Sequence, residues 1–437
     1  MADHAKSDHP GVQAQLDRLS LLSPGRDTLG LERITALLDQ LGNPERRLPP
    51  VFHVAGTNGK GSTCAVLRAA LEADSKSVHC YTSPHLVRFN ERIRINGTLI
   101  GDDMLADYLR RVLDIAEPIG PSFFEATTAA AFLAFAEHPA DAAIIEVGLG
   151  GRLDATNVIP VPAVCGIAQL GVDHEAFLGC DPVQIAREKA GIAKPGRPLV
   201  TMAYPLPIRE AIVEVANAAD ATVLREGSDW HYTRMENSLR IVFGDRSVDA
   251  GLPALTGPHQ QANAALAIAM ILAQQMLHIR PESIEIAPTR AIWPARLQHL
   301  PLGPLTAQLG NRMVLLDGGH NVAAAEALAS HLSGHRRYLL ILGMMANKDA
   351  PRWLDAMAPC IAGMIAVPVA GHEHHAPSAL AALAEARGIP ATTASDIRSA
   401  IVIAADMPDD MGIMPVLIAG SLYLAGDVLR ANGQVVD

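Results

Sequence analysis

The sequence predicts an α/β protein of two domains, each organised around a mostly parallel sheet. Short apolar runs typical of buried strands alternate with helix-forming segments along most of the chain. One of these runs begins at Val51 and leads straight into a glycine-rich turn and a helical segment. The length of 437 residues exceeds what one ordinary core contains. We expect one domain over residues 1–293 and a second over residues 294–437.

The composition is typical of a globular enzyme. Lys and Arg number 35 against 46 Asp and Glu, a net charge of −11 without a basic tract, so nucleic acid is not an expected partner. The five cysteines lack C-x-x-C spacing, which argues against a zinc site or disulfides and favours buried thiols in a reducing compartment. The first residues lack a secretory apolar run and no later run is long enough to span a bilayer, so we expect a cytoplasmic protein with no membrane partner.

The glycine-rich turn has the layout of a nucleotide phosphate site. Glycines let successive N–H groups point into one concavity, the next helix offers its positive end, and Lys60 adds a full charge. The spacing departs from G-x-x-x-x-G-K-[ST], and such a turn can also be a tight connection. The preceding strand and the following helix favour phosphate binding. The predicted nucleotide-binding residues here are Thr57, Asn58, Gly59, Lys60, Gly61 and Ser62.

Polar residues that follow predicted strands are candidate metal ligands. Glu146 ends an otherwise apolar strand, where Mg²⁺ beside the phosphate loop explains a buried acid better than a structural salt bridge does. Ser83 either ligates the metal or makes a turn hydrogen bond. His174 also follows a strand, where a structural role is the commoner one. Lys189 lies in the last turn of a predicted helix, where a favourable interaction of its positive charge with the helix dipole is a sufficient explanation for a lysine.

The rest of the first domain is predicted to be mixed. Phe123 and Phe124 either pack into a core or flank a flat heterocycle. Residues 284–293 are expected to connect the domains, because Trp293-Pro294 breaks a helix. The other predicted elements are a helix over 31–41, an alanine-rich helix over 123–137, a ligand-wrapping loop over 148–157, an antiparallel hairpin within 229–252 and a helix from 257 to about 277.

Four strand and helix pairs are predicted for the second domain, which indicates another mostly parallel sheet. The strands are 313–317, 338–342, 364–369 and 415–419, and the helices begin at Asn321, Asp349, Pro377 and Ser421.

The chain resembles the folylpolyglutamate synthase and dihydrofolate synthase family, relatives of the Mur ligases, and most closely the bacterial bifunctional form. Nine ordered motifs carry this resemblance over nearly the whole chain, which is far more specific than the phosphate loop alone. They are HVAGTNGKGST from His53, YTSPHL from Tyr81, RFNERIRING from Arg88, FFEATTAAAF from Phe123, EVGLGGRLDATN from Glu146, GVDHEAFLG from Gly171, REKAGIAK from Arg187, LDGGHN from Leu316 and AGSLYLAG from Ala419.

The resemblance implies a Mur-ligase-like N-terminal P-loop ATPase domain and a C-terminal Rossmann-like domain with ATP between them. It implies that Ser83 and Glu146 ligate one Mg²⁺ ion and that His174 ligates a second. It is also compatible with K⁺ as a further cofactor. Lys189 matches a lysine that the family carries as a carbamate, and Lys60, Lys189 and His174 are the implied catalytic residues. Further ATP contacts are implied at Asn263, Arg296, Asp317 and His320. The implied pterin pocket consists of Leu29, Gly30, Leu31, Glu32, Ser122, Phe123, Phe124, Glu125, Leu153, Asp154 and Ala155.

The implied reaction is the ATP-dependent ligation of L-glutamate to dihydropteroate and to reduced folates through an acyl phosphate, by a monomer. Two alternatives are a Mur-type cell-wall ligase and a non-catalytic nucleotide-gated binding protein. The first is disfavoured because Mur ligases carry an additional N-terminal domain, for which the chain leaves no room before the loop at Gly56. The chain departs from the family pattern at Ala295 and Gly319, where Gly and Ala are usual, so we expect altered loop geometry near Arg296 and His320.

Overall fold

The computed structural model describes residues 5–22, 29–334, 336–407 and 414–435. They divide into two compact units. Unit 1 contains the described residues up to Ala254 together with His259–Ile292, and unit 2 contains Leu255–Pro258 and the described residues from Trp293 onward. Each unit has its own mostly parallel sheet and its own apolar core, which confirms the predicted fold class.

Unit 1 contains ten α-helices and eleven strands among its described residues. The helices are α1 (Pro10–Leu21), α2 (Glu32–Gln40), α3 (Lys60–Ala73), α4 (Asp102–Leu113), α5 (Phe123–Glu137), α6 (Glu175–Leu178), α7 (Pro182–Ala190), α8 (Leu206–Ala218), α9 (His259–Ala273) and α10 (Pro281–Arg290). The strands are β1 (Val51–Ala55), β2 (Val78–Tyr81), β3 (Ile93–Ile95), β4 (Thr98–Leu99), β5 (Ala142–Glu146), β6 (Val164–Ile167), β7 (Pro198–Thr201), β8 (Thr222–Arg225), β9 (Trp230–Arg234), β10 (Ser238–Phe243) and β11 (Arg246–Gly251).

The eight-stranded sheet of unit 1 brings the predicted site residues to one edge. Its strand order is β4-β3-β2-β5-β1-β6-β7-β8, and only the pairings of β3 with β2 and with β4 are antiparallel. Strand β1 is central and buried along its whole length, as its apolar sequence predicts. Val54 is opposite Glu146 on one side, and Ala55 is opposite Ile167 on the other. The carboxyl ends of β1, β5 and β6 therefore meet where open α/β sheets bind ligands.

Local sequence signals place two helices that border this edge. Helix α5 begins with a capping box, in which the Ser122 hydroxyl accepts from the Glu125 N–H and the Glu125 carboxylate accepts from the Ser122 N–H. Helix α7 has Asp181 as its N-cap and Pro182 at its first position. Both helix starts agree with the sequence.

Three expectations for unit 1 need correction. Residues 284–290 belong to helix α10 rather than to a connection, and the prolines of this helix, including the internal Pro288, concealed it. Helix α9 ends at Ala273, because the Gln274 side chain bonds the backbone of Met276 and Leu277 and closes a turn there. The hairpin within 229–252 is a three-stranded antiparallel sheet in the order β11-β10-β9.

Unit 2 contains a six-stranded sheet in the order β12-β13-β17-β14-β15-β16, parallel except where β12 pairs with β13. The helix starts predicted at Asn321, Asp349, Pro377 and Ser421 are confirmed within one residue. The short strands β12 and β16 and the helix α14 were not predicted. The strands are β12 (Gln298–His299), β13 (Val314–Leu316), β14 (Tyr338–Leu342), β15 (Ile361–Ala366), β16 (Ala391–Thr393) and β17 (Val416–Ala419), and the helices are α11 (Val322–Leu332), α12 (Ala350–Met357), α13 (Pro377–Glu385), α14 (Ile397–Asp406) and α15 (Leu422–Ala431).

None of the described helices is both long enough and apolar enough to cross a membrane.

The loop before β12 contains two residues in the left-handed region, Ala295 with φ 57° and Leu297 with φ 45°. Ala295 is fully buried, and its carbonyl accepts from the Gly318 N–H at 2.9 Å. A left-handed residue with a Cβ costs roughly 1 kcal/mol relative to glycine. The glycine that is usual at this position in the family is therefore the less strained choice.

We predict that Ala295→Gly raises the free energy of unfolding of unit 2 by up to about 1 kcal/mol, because it relieves this strain. Urea unfolding followed by circular dichroism measures the change. Ala325→Gly, at a buried position inside helix α11, should lower stability by a similar amount. A destabilised Ala295→Gly variant would show that the left-handed conformation carries no strain.

Candidate active site

The glycine-rich loop joins β1 to α3 and is anchored to the segment that follows β6. The backbone N–H groups of Thr57 and Asn58 both donate to the Gln169 carbonyl, at 2.9 and 3.1 Å. The Thr57 hydroxyl donates to the Gly171 carbonyl at 2.8 Å. These bonds hold the first half of the loop in place. The N–H groups at the start of α3, which have no acceptor within their own helix, are thus the backbone donors best placed for phosphate.

Gly59 packs against a residue predicted to contact ATP. Its φ is +83°, and a Cβ at this position would collide with the amide oxygen of Asn263 in α9. The orientation of the Asn263 amide is set by Gln260, whose side-chain oxygen accepts from Asn263 Nδ2 at 3.0 Å. Only glycine lets the loop approach Asn263 so closely, so the structure brings these two predicted ATP contacts together.

Two lysines converge on one carbonyl of the loop. Lys60 Nζ and Lys189 Nζ each donate to the Gly56 oxygen at 3.0 Å, although they come from different helices. Lys189 is only 4% exposed. Burial, and then the positive charge of Lys60, lower the pKa of the Lys189 amine to about 7 against the opposing effect of the Asp173 carboxylate. A favourable interaction with the helix dipole alone does not explain why the Lys189 amine is buried.

Glu146 lies beside Lys60. Its Oε1 is 4.0 Å from Lys60 Nζ, and its Oε2 accepts from the Ser83 backbone N–H at 3.2 Å. The carboxylate is 5% exposed at the end of β5. Ser83 is thus joined through its backbone to the candidate metal ligand Glu146, which places both residues at the same edge of the sheet.

The donor set near Glu146 fits Mg²⁺ rather than a softer metal. Mg²⁺ is usually held by one or two carboxylates together with phosphates and water. Within the part of the chain that the structure describes, no group of three His, Cys, Asp or Glu side chains could hold a metal by itself. A cation at Glu146 would accordingly take its remaining ligands from the Ser83 hydroxyl, the nucleotide and water.

His174 lies on the segment that anchors the phosphate loop, three residues after Gly171. It adopts a left-handed conformation with φ 54°, as the residue before α6, and its backbone N–H donates to the Asp173 carboxylate at 2.8 Å. A left-handed non-glycine residue is uncommon and clusters at functional sites. This placement is compatible with the second metal position and does not demand it.

The three predicted pocket segments meet in unit 1. Arg33, at the start of α2, donates to the Glu125 carboxylate at 3.0 Å, which joins the segment 29–32 to the segment 122–125. Both α2 and α5 pack against the short 3-10 turn at Ala155–Val158, which follows Leu153 and Asp154. Glu125 thus serves as a helix cap and ion-pair partner, a structural role that the sequence alone did not separate from substrate binding.

The two aromatic residues at the start of α5 lie in different surroundings. Phe123 is buried edge to face against Phe89, with ring centroids 6.0 Å apart, and the Arg92 guanidinium lies 5.7 Å from its ring. Phe124 is partly exposed and lies 6.0 Å from the Tyr81 ring. Phe124 is therefore the better placed of the two to flank a flat ligand.

Unit 2 holds the other predicted ATP contacts in adjoining loops. Asp317 accepts from the Leu297 N–H and from the Gly319 N–H, both at 2.7 Å, and so ties the loop of Arg296 to the loop of His320. His320 Nδ1 donates to the Gly318 carbonyl at 3.0 Å. A Cβ at Gly319 would lie 2.7 Å from Asp317 Oδ1, so the family's alanine would displace this carboxylate.

Comparison with known proteins identifies the family. The model of the Mur ligase glutamate ligase domain matches residues 305–422. The dihydrofolate synthase/folylpolyglutamate synthase of Bacillus subtilis is 36% identical over 327 residues, which is 69% of this chain and 71% of that protein. The folylpolyglutamate synthase of Lacticaseibacillus casei is 33% identical over 91% of this chain and 92% of that protein. The chain belongs to the dihydrofolate synthase/folylpolyglutamate synthase family.

Solved structures of this family share the fold. E. coli FolC in complex with DHPP and ADP matches with a TM-score of 0.85 at 30% identity, over 96% of this chain and 97% of that one. A bifunctional folylpolyglutamate synthase/dihydrofolate synthase with Mn, AMPPNP and L-glutamate bound matches with a TM-score of 0.84 at 30% identity, over 96% and 97%. These matches confirm the predicted family and its enzyme class, an ATP-dependent ligase.

Sequence reasoning for this dihydrofolate synthase/folylpolyglutamate synthase family member missed two supporting residues. Gln260 orients Asn263 and stands three positions before it on α9, a helical spacing that could have indicated the contact. The second is Asp173, whose charge acts on Lys189 from a segment distant in the sequence. The roles of the individual site residues stay predictions.

We predict that Gly59→Ala weakens ATP binding by about tenfold or more, because the new Cβ displaces Asn263. Isothermal titration calorimetry with a non-hydrolysable ATP analogue measures the change. Gly42→Ala is the matched control, since Gly42 has a similar φ of +79° but nothing within 4 Å of its added Cβ. Equal affinities of the two variants would rule out the steric explanation.

Proposed function

We propose that this chain uses ATP to join L-glutamate to dihydropteroate and, in further rounds, to the γ-carboxyl of reduced folates. The observation that carries the proposal is the convergence of Lys60, Lys189 and Glu146 on the phosphate loop of a chain in this family. ATP and a divalent metal accompany the reaction, since a relative has been solved with AMPPNP, Mn and L-glutamate. We take Mg²⁺ as the metal, held by Glu146 and Ser83, with His174 at a second ion.

The residues of unit 1 suit phosphoryl transfer to a carboxylate. A free carboxylate is a poor acyl donor, so its oxygen first attacks the terminal phosphorus of ATP and ADP leaves. Lys60 exchanges the Gly56 and Thr57 carbonyls for phosphate oxygens and balances their charge. The amino group of L-glutamate then attacks the acyl carbon, an amide forms, and phosphate departs with the former carboxylate oxygen. Mg²⁺, when bound, supplies charge neutralisation at the phosphoryl group.

The expected activity is ATP-dependent phosphate release that requires both L-glutamate and an acceptor, with dihydropteroate and tetrahydrofolate as the acceptors. Mass spectrometry of the products shows which acceptors are used and how many glutamates are added. Lys60→Ala should lower kcat by about a hundredfold or more, because the charge on the transferred group is lost. Lys76→Ala, just beyond the other end of α3, is the control and should keep wild-type turnover.

Turnover without glutamate dependence, or none with either acceptor, would defeat the proposal. ATP binding without any glutamate-dependent hydrolysis would instead favour a nucleotide-gated binding protein.

We further propose that Lys189 reacts with CO₂ to form a carbamate. Only the neutral amine adds to CO₂, and a pKa of about 7 leaves about half of the amine neutral at pH 7. The neutral amine nitrogen bonds to the CO₂ carbon and releases one proton to solvent, so the product is an anion beside Lys60. This anion removes the repulsion that an ammonium would exert on Lys60 and gives the site further oxygen atoms that could ligate a metal.

Carbamate formation at a fixed concentration of dissolved CO₂ should therefore decline as the pH falls below about 7, where Lys189 becomes protonated. Carbon-13 NMR with labelled CO₂ should show a carbamate resonance that Lys189→Arg lacks. An identical resonance in that variant would place the modification elsewhere.

A further inference from the structure

A buried histidine interrupts the apolar sequence of β1. His53 is 0% exposed, and both of its neighbours in the strand, Phe52 and Val54, are buried hydrophobic residues. Its Nδ1 has no hydrogen-bond partner among the described residues. A buried acceptor without a partner is costly, so an aliphatic residue would be the more stable choice for this strand. Burial also lowers the pKa of His53 to about 3, which keeps the ring neutral.

The other ring nitrogen of His53 begins a directed chain of hydrogen bonds. The Thr156 hydroxyl donates to Asp154 Oδ1, and since it has only one proton, it accepts from His53 Nε2–H at 2.9 Å. This fixes the tautomer of His53 and explains why Nδ1 is the nitrogen left without a proton. The chain connects the central strand of the sheet to the carboxylate of Asp154.

Asp154 is fixed from several directions. It is 2% exposed, its Oδ2 accepts from the Leu149 N–H at 2.8 Å, and its Oδ1 also accepts from the Thr156 N–H at 3.0 Å. Burial raises the pKa of Asp154 above its usual range, so each donor matters for holding its ionised form in place. Of these donors, only the Thr156 hydroxyl is oriented by a residue outside the segment 148–158, namely His53.

His53 also has a fixed backbone. It is opposite Ile145 of β5 and Cys165 of β6, in the middle of the sheet, and it precedes Gly56 of the phosphate loop by three residues. The paired strands on both sides hold the backbone of His53 in place. The ring is therefore a fixed donor toward which the Thr156 hydroxyl is oriented.

We propose that His53 is a positioning residue that holds Asp154 in the conformation for acceptor binding through the Thr156 hydroxyl. This inference rests on the proposed function and on the pterin pocket that the family resemblance implies, which includes Leu153, Asp154 and Ala155. The residue links the strand that carries the phosphate loop to the pocket for the other substrate. It therefore sets acceptor affinity without touching the acceptor.

The test compares His53→Leu with wild-type enzyme in steady-state kinetics. We expect the KM for dihydropteroate to rise about fivefold to tenfold, the size of one lost hydrogen bond, while the KM for ATP stays within about twofold. His53→Gln, which keeps a donor near the Nε2 position, should restore most of the loss. Thr156→Val removes the middle link of the chain together with its bond to Asp154, and it should raise the KM for dihydropteroate at least as much if His53→Leu does not fold.

His79→Leu is the matched control for loss of a buried histidine. His79 is also 0% exposed, on the neighbouring part of the same sheet, but it bonds the His138 carbonyl and the Asn96 N–H instead. We expect its KM for dihydropteroate to remain at the wild-type value. The double variant of His53→Leu and Thr156→Val should raise the KM for dihydropteroate no further than Thr156→Val alone, since both substitutions break one chain.

An unchanged KM for dihydropteroate in His53→Leu, or an equal rise in His79→Leu, would overturn the proposal. Full additivity in the double variant would also overturn it. A wild-type enzyme that turns over neither acceptor defeats the proposed function instead, and this is established before any variant is compared.

Discussion

The structure of the site depends on an excess of positive charge around one backbone oxygen. Two amines, from Lys60 and Lys189, share the Gly56 carbonyl, and one carboxylate, Glu146, stands nearby. Buried charges of the same sign repel strongly where water is scarce. The repulsion between the two amines decreases either when an anion binds between them or when Lys189 loses its positive charge. The proposed binding of phosphate and the proposed carbamate of Lys189 would each supply that relief.

The strand order of the sheet places these charged groups next to each other. Strand β1 lies between β5 and β6, so the carboxyl ends of the three strands are adjacent. This adjacency brings together the loop after Ala55, the acid at the end of β5 and the anchoring segment after Ile167. The predicted pocket segment is also tied to its surroundings, since Asn157 Nδ2 donates to both the Arg152 and Gly191 carbonyls. Such preorganisation lowers the entropic cost of placing two substrates in contact.

Much of this could be predicted from the sequence, and the remainder depends on contacts between distant residues. The apolar run of β1 and the alanine-rich segment that begins at Phe123 are local signals, and the strand and the helix predicted from them are confirmed. Helix α10 was missed because Pro288 argues locally against a helix that tertiary packing stabilises. The contact of Gly59 with Asn263 and the bonds from Thr57 to Gly171 join segments far apart in the chain, which no local pattern encodes.

In the proposed reaction, the phosphate loop places the terminal phosphoryl group of ATP for transfer to a carboxylate. Dihydropteroate labelled with oxygen-18 in both carboxylate oxygens tests it most directly, with the released phosphate analysed by mass spectrometry after turnover with ATP and L-glutamate. An acyl phosphate predicts one oxygen-18 atom in each phosphate released, because the bond that breaks lies between the acyl carbon and that oxygen. Unlabelled phosphate would show that ATP is hydrolysed by water, and the account of the site would be wrong.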